Sequence, residues 1–342
     1  MKKTIVLGAV LAAFGGAAVA QSSVTLFGVV DANVRYVKTG STNLKQVGTD
    51  GLSASRLGVR GTEDLGGGLK AGFWLEAALN PDTGAADGSR FWGRRATVSL
   101  SAADMGEVRI GRHKVAARLV IDGFSPFETT GIADITKSFD DFGAKADTLN
   151  RSDNQVAYVL PDNLGGVYGG IEAGAGEGAD GKKYYSGRIG YKTKELNVAG
   201  GYASTNVVGD KYKLAVVGAS YDFGVATGMA TYVTTKLGSL ERKVFTLGAI
   251  VPVSNEGSIR AHYANSNANS AAEVAKKGYD LTIFSVGYVH NVSKRTALYT
   301  TYSQIANKDG GTVVIGNAGN NAPKAAAGDK SSAFEVGVRH SF

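Results

Sequence analysis

Apolar and polar positions alternate with period two through most of this chain. In Arg56-Leu57-Gly58-Val59-Arg60 the aliphatic residues hold one parity and the arginines the other. Leu69, Ala71, Phe73 and Leu75 share one face, while Lys70, Gly72, Trp74 and Glu76 share the opposite face. Val156, Tyr158 and Leu160 oppose Asp153, Gln155 and Ala157, and at the end of the chain Phe334, Val336, Val338, His340 and Phe342 alternate with Glu335, Gly337, Arg339 and Ser341. Successive side chains of a strand point to opposite faces, so this pattern predicts strands with one apolar face.

The pattern predicts sixteen strands. The first eight lie near 23–37, 52–64, 69–79, 91–102, 106–113, 153–161, 167–175 and 184–194. The second eight lie near 195–205, 211–223, 224–236, 241–252, 257–265, 280–291, 296–305 and 331–342. Most have the length of about 9–11 residues that a tilted strand needs to cross a bilayer. The links alternate in length. Glycine-rich turns such as Asp64-Leu65-Gly66-Gly67-Gly68 and Asp222-Phe223-Gly224 are short, whereas 38–51, 80–90, 266–279, 306–330 and, longest, 114–152 are long. An even strand number with short turns at one end and long loops at the other is the plan of a bacterial outer-membrane barrel. The predicted fold is therefore all-β, a sixteen-stranded antiparallel transmembrane β-barrel. Closure satisfies every backbone donor and acceptor within lipid, and a barrel of this size leaves an aqueous lumen for the polar parity. Tyr36, Tyr158, Phe223, Tyr288, Tyr302 and Phe342 fall near predicted strand ends, as girdle aromatics would.

The start of the chain does not follow the pattern. Lys2 and Lys3 precede an apolar run from Thr4 to Phe14, and Ala18-Val19-Ala20 forms a small-residue cleavage site. These are the parts of a secretory signal peptide, too short to span a bilayer as a helix. Residues 1–20 are read as the cleaved signal and 21–342 as the barrel. Losing two lysines lowers the formal charge from +7 to +5. In a channel, a basic excess favours anions. The chain has no cysteine, 48 glycines and only 5 prolines, which suits many short strands closed by glycine turns and rules out a thiolate metal site.

The whole mature chain resembles the general porins of Gram-negative β-proteobacteria, the neisserial and Comamonas type. The resemblance rests on Ser23-Val24-Thr25-Leu26-Phe27-Gly28-Val29-Val30-Asp31, on Ser55 to Ala71, on Arg94-Arg95-Ala96-Thr97-Val98-Ser99-Leu100, on Gly106-Glu107-Val108-Arg109-Ile110-Gly111-Arg112, on Gly287 to Thr296, and on Val336-Gly337-Val338-Arg339-His340-Ser341-Phe342. It implies a homotrimer in the cell outer membrane, in contact with lipid and lipopolysaccharide. It implies a longest loop, about 114–152, folded inward as a constriction, and a terminal Phe342 read by the barrel-assembly machinery. It implies a water-filled diffusion channel for small hydrophilic solutes and ions, with no cofactor and no catalysis.

The resemblance also implies an arginine cluster on the pore wall facing acids. Arg56, Arg151 and the pair Arg94-Arg95 occupy its positions. Parity places Arg56 in the lumen, opposite Leu57 and Val59, and gives Arg151 the parity of Asp153 and Gln155. Val98 and Leu100 facing lipid place Arg95 in the lumen and turn Arg94 outward, unless a bulge resets the register. Loop 114–152 is nearly neutral, and Asp122 and Glu128 are its candidates for the acidic side, with Glu76 on the wall. Fixed charge at a narrow point selects ions, so this arrangement predicts anion selectivity. The bland alternative is that the arginines chiefly pair with loop acids and hold the loop.

Other motifs add little. Gly66-Gly67-Gly68 lacks the helix and lysine of a phosphate loop. His113, His262, His290 and His340 show neither metal-ligand spacing nor a triad. Asp140-Asp141 is an acidic pair of the kind usually solvated. Basic pairs are scattered, which argues against nucleic acid. The rival functions are a substrate-specific channel for a small anionic solute, an outer-membrane barrel enzyme, and a structural or adhesive barrel. Ion conductance separates the last from the channels.

Overall fold

The computed structural model describes residues 23–86, 90–275, 280–308, 310–316 and 323–342; the signal segment lies outside them. Sixteen antiparallel strands form one closed sheet. They are β1 (Ser23–Thr39), β2 in two segments (Thr42–Thr49 and Arg56–Gly66), β3 (Leu69–Asn80), β4 (Arg95–Ala102), β5 (Gly106–Lys114), β6 (Arg151–Val159), β7 (Val167–Gly174) and β8 (Tyr184–Lys192). Then follow β9 (Leu196–Val207), β10 (Asp210–Asp222), β11 (Thr227–Leu237), β12 (Leu240–Pro252), β13 (Gly257–Ala268), β14 (Leu281–Asn291), β15 (Thr296–Asn307) and β16 (Lys330–Ser341). A two-residue rung, Ala85–Ala86, pairs with the end of β3.

Each strand pairs with its sequence neighbours, and β1 pairs with β16 from Val29↔Ser341 to Thr39↔Ser331. Two further backbone bonds of 3.1 Å join Gly28 and Phe342, N–H of each to the carbonyl of the other, completing the seam. The staves thereby close on one another, while the arm Thr42–Thr49 and the rung Ala85–Ala86 each pair along one side among the described residues. The predicted alternation sets the two faces. Val98, Leu100, Val108, Ile110, Val156 and Ile171 are exposed on the outer wall, as a surface bathed in hydrocarbon must be. Tyr36, Tyr158, Phe223, Tyr302 and Phe342 are exposed too. At the turn end, Gly66, Gly67 and Gly68 all have positive φ, +82°, +61° and +83°, a run that side chains resist and glycine does not.

The interruption of β2 departs from the sequence reading, which took 38–51 as loop. Thr42–Thr49 instead forms a tight hairpin with the upper half of β1, while Arg56–Gly66 pairs with its lower half. The break between them is built around Asp31. Its carboxylate accepts the N–H groups of Gly51 (3.1 Å), Leu52 (2.8 Å) and Ser53 (2.8 Å), and the Tyr299 hydroxyl at 2.5 Å. An inward-facing acid thus takes over the backbone donors that the ladder leaves unpaired. The alternation of Thr42–Thr49 is hard to read because each face carries one aliphatic: Leu44 faces inward with Val37, and Val47 outward with Val34.

Candidate pore constriction

The inner wall has two kinds of surface. On β10 to β15 the inward positions include Leu214, Val216, Val233, Val244, Ile283 and Ile305, all buried. Apolar groups of this kind cannot face an aqueous lumen without cost. On β2 to β5 the inward positions are Arg56, Arg60, Trp74, Glu76, Arg95, Thr97, Ser99 and Arg109, paired across the ladder. That wall can stay wet.

The segment between β5 and β6, residues 115–150, covers the apolar wall. It begins with helix α1 (Ala116–Gly123), whose Ala117, Val120 and Ile121 are buried at helical spacing. The helix lies on inward-facing glycines. A methyl group on Gly201 would stand 3.1 Å from Val120, and one on Gly218 would stand 2.3 Å from the Phe124 ring. Farther along, Pro126 fills the space over Gly248, and Phe127 meets His262 edge-on at 5.2 Å. The loop reaches the break in β2, where Gly131 (φ +69°) sits so close that a Cβ would lie 2.3 Å from the Gly51 carbonyl oxygen. It then turns back. The Ser138 carbonyl accepts from Arg242 (3.3 Å) and Ser266 (2.7 Å), and the Asp140 carbonyl from the Tyr212 hydroxyl at 3.0 Å. Phe124, Ile132, Ile135, Phe139 and Phe142 join the wall residues in one apolar core inside the barrel.

The root of the loop is pinned electrostatically. Asp122 pairs with Lys114 and with Arg118, whose Nε lies 2.7 Å from its Oδ1, and accepts the Thr129 hydroxyl at 2.6 Å. Arg118 also donates to the Leu149 carbonyl at 2.8 Å, tying the two ends of the loop. Burial raises the Asp122 carboxyl, but Arg118 and Lys114 outweigh it and hold the group below the usual range. The Glu172 carboxylate, on β7, accepts the N–H of Ala116 at 2.7 Å, at the start of α1.

The loop packs on the β8–β15 side, and the arginine wall lies on β2 to β5. Glu76 accepts from Arg94 Nε at 2.5 Å and from the Trp74 indole at 3.2 Å. Arg56 lies in the field of Arg94, Glu76, Glu128 and Asp50. Arg151 lies in that of Arg94, Glu76, Asp122 and Arg118. Neither has an ion pair among the described residues. Glu128, exposed at the loop tip, likewise has none, whereas Asp122 is fully engaged.

Arg94 and Arg95 both face the polar side, for different reasons. Arg95 opens β4 and stands opposite Glu76 in register, as parity requires. Arg94 precedes the strand, so alternation does not govern it. Its backbone N–H donates to the Glu76 carbonyl at 3.1 Å and its side chain follows. The register irregularity lies next door, at Gly111 (φ +122°) to His113 on β5. It also breaks the parity carried from Gln155 up to Arg151: Asp153 turns to Arg112 (2.8 Å) and Arg90 (2.6 Å) instead.

Sequence reading missed how Trp74 organises the wall. Arg95 stacks on its ring with Cζ 4.3 Å from the centroid, Arg60 stands 5.1 Å away, and Phe27 packs edge-on at 5.3 Å. The parity of Trp74 with Glu76 was the available signal. The helix α1 was also missed, because eight residues give little room for a helical period.

A family model described as Gram-negative porin matches residues 8–310. The chain is a Gram-negative porin. Over its full length it is 39% identical to outer membrane porin protein 32 of Delftia acidovorans, along that protein's full length. It is 29% identical to an outer membrane porin protein of Bordetella pertussis, again end to end. The solved structure of an anion-selective porin from Comamonas acidovorans superposes with a TM-score of 0.85 at 37% identity, covering 94% of this chain and 100% of that one. OmpT of Vibrio cholerae, solved in a trimer form, shares the fold with a TM-score of 0.67 at 17% identity, over 94% of this chain and 99% of that one. This porin is therefore a multi-pass β-barrel of the outer membrane and a member of a family of channels, not of enzymes.

Proposed function

We propose that this porin is a diffusion channel that prefers small anions, selected where the loop edge faces Arg56, Arg94, Arg95 and Arg151. The observation that carries the reading is an imbalance of partners. Arg56, Arg151 and Arg95 have no ion pair among the described residues, Arg94 is neutralised by Glu76, and Glu128 and Asp50 are acids near Arg56 that have no ion pair among those residues. The cluster is thus net positive, because a guanidinium keeps its proton in a protein at working pH. Its potential concentrates anions in a low-dielectric slot. Arg60 extends the same sign along β2, whereas Arg109 on β5 is neutralised by Glu107 at 2.6 Å. The anion preference of the Comamonas relative agrees with this reading.

Two assembly properties belong with the proposal: a homotrimer packed through the outer walls, and Phe342 as the terminal signal read during insertion. Phe342 ends the closing strand with its ring over Gly28. The site is tested by replacing Arg56 and Arg151 with alanine. The double variant should lose at least half of the chloride-over-potassium preference in planar bilayers while keeping ion current. An unchanged preference would reduce these arginines to loop supports.

A further inference from the structure

We infer that Glu172 is a positioning residue for the helix inside the barrel. From the wall strand β7 it caps the N-terminus of α1 in trans, with Ser186 of β8 as the second acceptor. Its effect on ion flow rests on residues 115–150 being the constriction.

Helix α1 has no cap of its own. The first backbone N–H groups of a helix lack an intrahelical partner, and a Ser, Thr, Asp or Asn at the N-cap commonly accepts one. Here the N-cap residue is Val115, which makes no side-chain hydrogen bond, and the first turn carries no acid. The wall supplies both acceptors. The Ala116 N–H donates to Glu172 Oε1 at 2.7 Å, and the Ala117 N–H donates to Ser186 Oγ at 3.2 Å. Register makes this possible. Glu172 and Ser186 stand directly opposite each other on β7 and β8, so two neighbouring acceptors meet two consecutive donors. Ala157 and Ala203 flank them along the same rung, and both are small and buried, which leaves room for the helix end.

Glu172, in turn, has no cation of its own. It is buried. Among the described residues the one basic group within ion-pair distance is His113, whose Nδ1 lies 3.9 Å from Oε2. That nitrogen also lies 2.9 Å from the Lys114 carbonyl. A carbonyl can only accept, so Nδ1 carries its hydrogen toward Lys114. Arg109 and Arg188 act on the carboxylate through their fields alone. Arg109 is held by Glu107, and Arg188 lies over the Tyr168 ring. The Tyr184 hydroxyl adds a donor to Oε1 at 3.4 Å. A buried carboxylate needs positive charge or donors around it, and a helix N-terminus offers both. The uncapped helix and the unpaired carboxylate complete each other. The rest of α1 is seated by shape, Val120 over Gly201 and Phe124 over Gly218, so the cap is what fixes the end where the segment leaves the wall.

The full chain, refolded in detergent, is compared with Glu172→Gln, Glu172→Met and Ser186→Ala near neutral pH. Hydrogen–deuterium exchange reads the helix, and planar bilayers read the current. Glutamine keeps an acceptor at the same length, and methionine fills the same space without one. Exchange in peptides covering 113–124 should rise about tenfold in Glu172→Met and roughly threefold in Ser186→Ala, the scale of a lost helix cap. It should stay close to the parent's in Glu172→Gln, and peptides of β15 should be unchanged in all three. Single-channel current should become larger and noisier in Glu172→Met and return to the parent's in Glu172→Gln. Equal exchange in the glutamine and methionine variants would reduce Glu172 to packing and overturn the proposal, as would exchange at the parent's rate in Glu172→Met. Should the methionine variant not refold, Ser186→Ala decides, and exchange at the parent's rate there would overturn the proposal. Faster exchange of 113–124 with unchanged current would uphold the cap and contradict the constriction.

Discussion

At the level of single residues, the pore wall separates charges that are spent from charges that are available. Asp122 is spent. It holds Lys114 and Arg118, and its alanine variant would strand two largely buried cations, a change that typically costs about 3–5 kcal/mol. We expect Asp122→Ala to lower the thermal midpoint of the refolded porin and to give noisy single-channel current. The pH dependence has a definite sign. The Asp122 carboxyl is held below its ordinary value. Its contribution is therefore complete above the unfolded pKa of about 3.9 and is lost as pH falls through the lower folded value. The loop should stay quiet near neutral pH and loosen only in strong acid, as current recordings below about pH 4 would report. Glu128 is available. Glu128→Gln removes the unpaired acid facing Arg56, and the chloride-over-potassium permeability ratio should rise roughly twofold at low salt, where screening is weakest. A fall in that ratio would mean that Glu128 does not face the ion path.

At the level of elements, the seating of residues 115–150 inside the barrel is a packing problem. The loop is seated by glycines that leave room for its side chains: Gly201 for Val120, Gly218 for Phe124, Gly248 for Pro126. Gly218→Val would drive a branched side chain into the Phe124 ring, and overpacking of this kind costs about 1–3 kcal/mol. The expected outcome is a displaced loop, higher single-channel conductance and a lower melting temperature, with the barrel's circular dichroism retained. Strands were legible in the sequence because period-two alternation is imposed on every stave by lipid on one side. The loop's course was not, because what holds it is contact between residues far apart in the chain, such as Phe127 with His262 and Gly131 with Gly51. Parity could address Arg56 and Arg95, which lie within regular ladders. It had no purchase on Arg94, which lies before its strand, or on Arg151, which lies beyond an irregular register.

At the level of the whole molecule, one closed sheet serves three environments. Its outer face meets hydrocarbon, part of its inner face is a dry core shared with residues 115–150, and the rest meets water. The dry part explains how a barrel with an aqueous lumen carries so many buried aliphatics. On the proposed reading the wet part lies where the arginines are, and solutes pass along the charged wall. Selectivity from such a wall is electrostatic and should fade as the screening length shrinks from about 10 Å at 0.1 M salt to about 3 Å at 1 M.

The most direct test of this account is the reversal potential of the refolded porin in a planar bilayer under a potassium chloride gradient, taken at low and at high salt. The account predicts a sign showing chloride preference that weakens as salt rises. A potassium preference at low salt would contradict it.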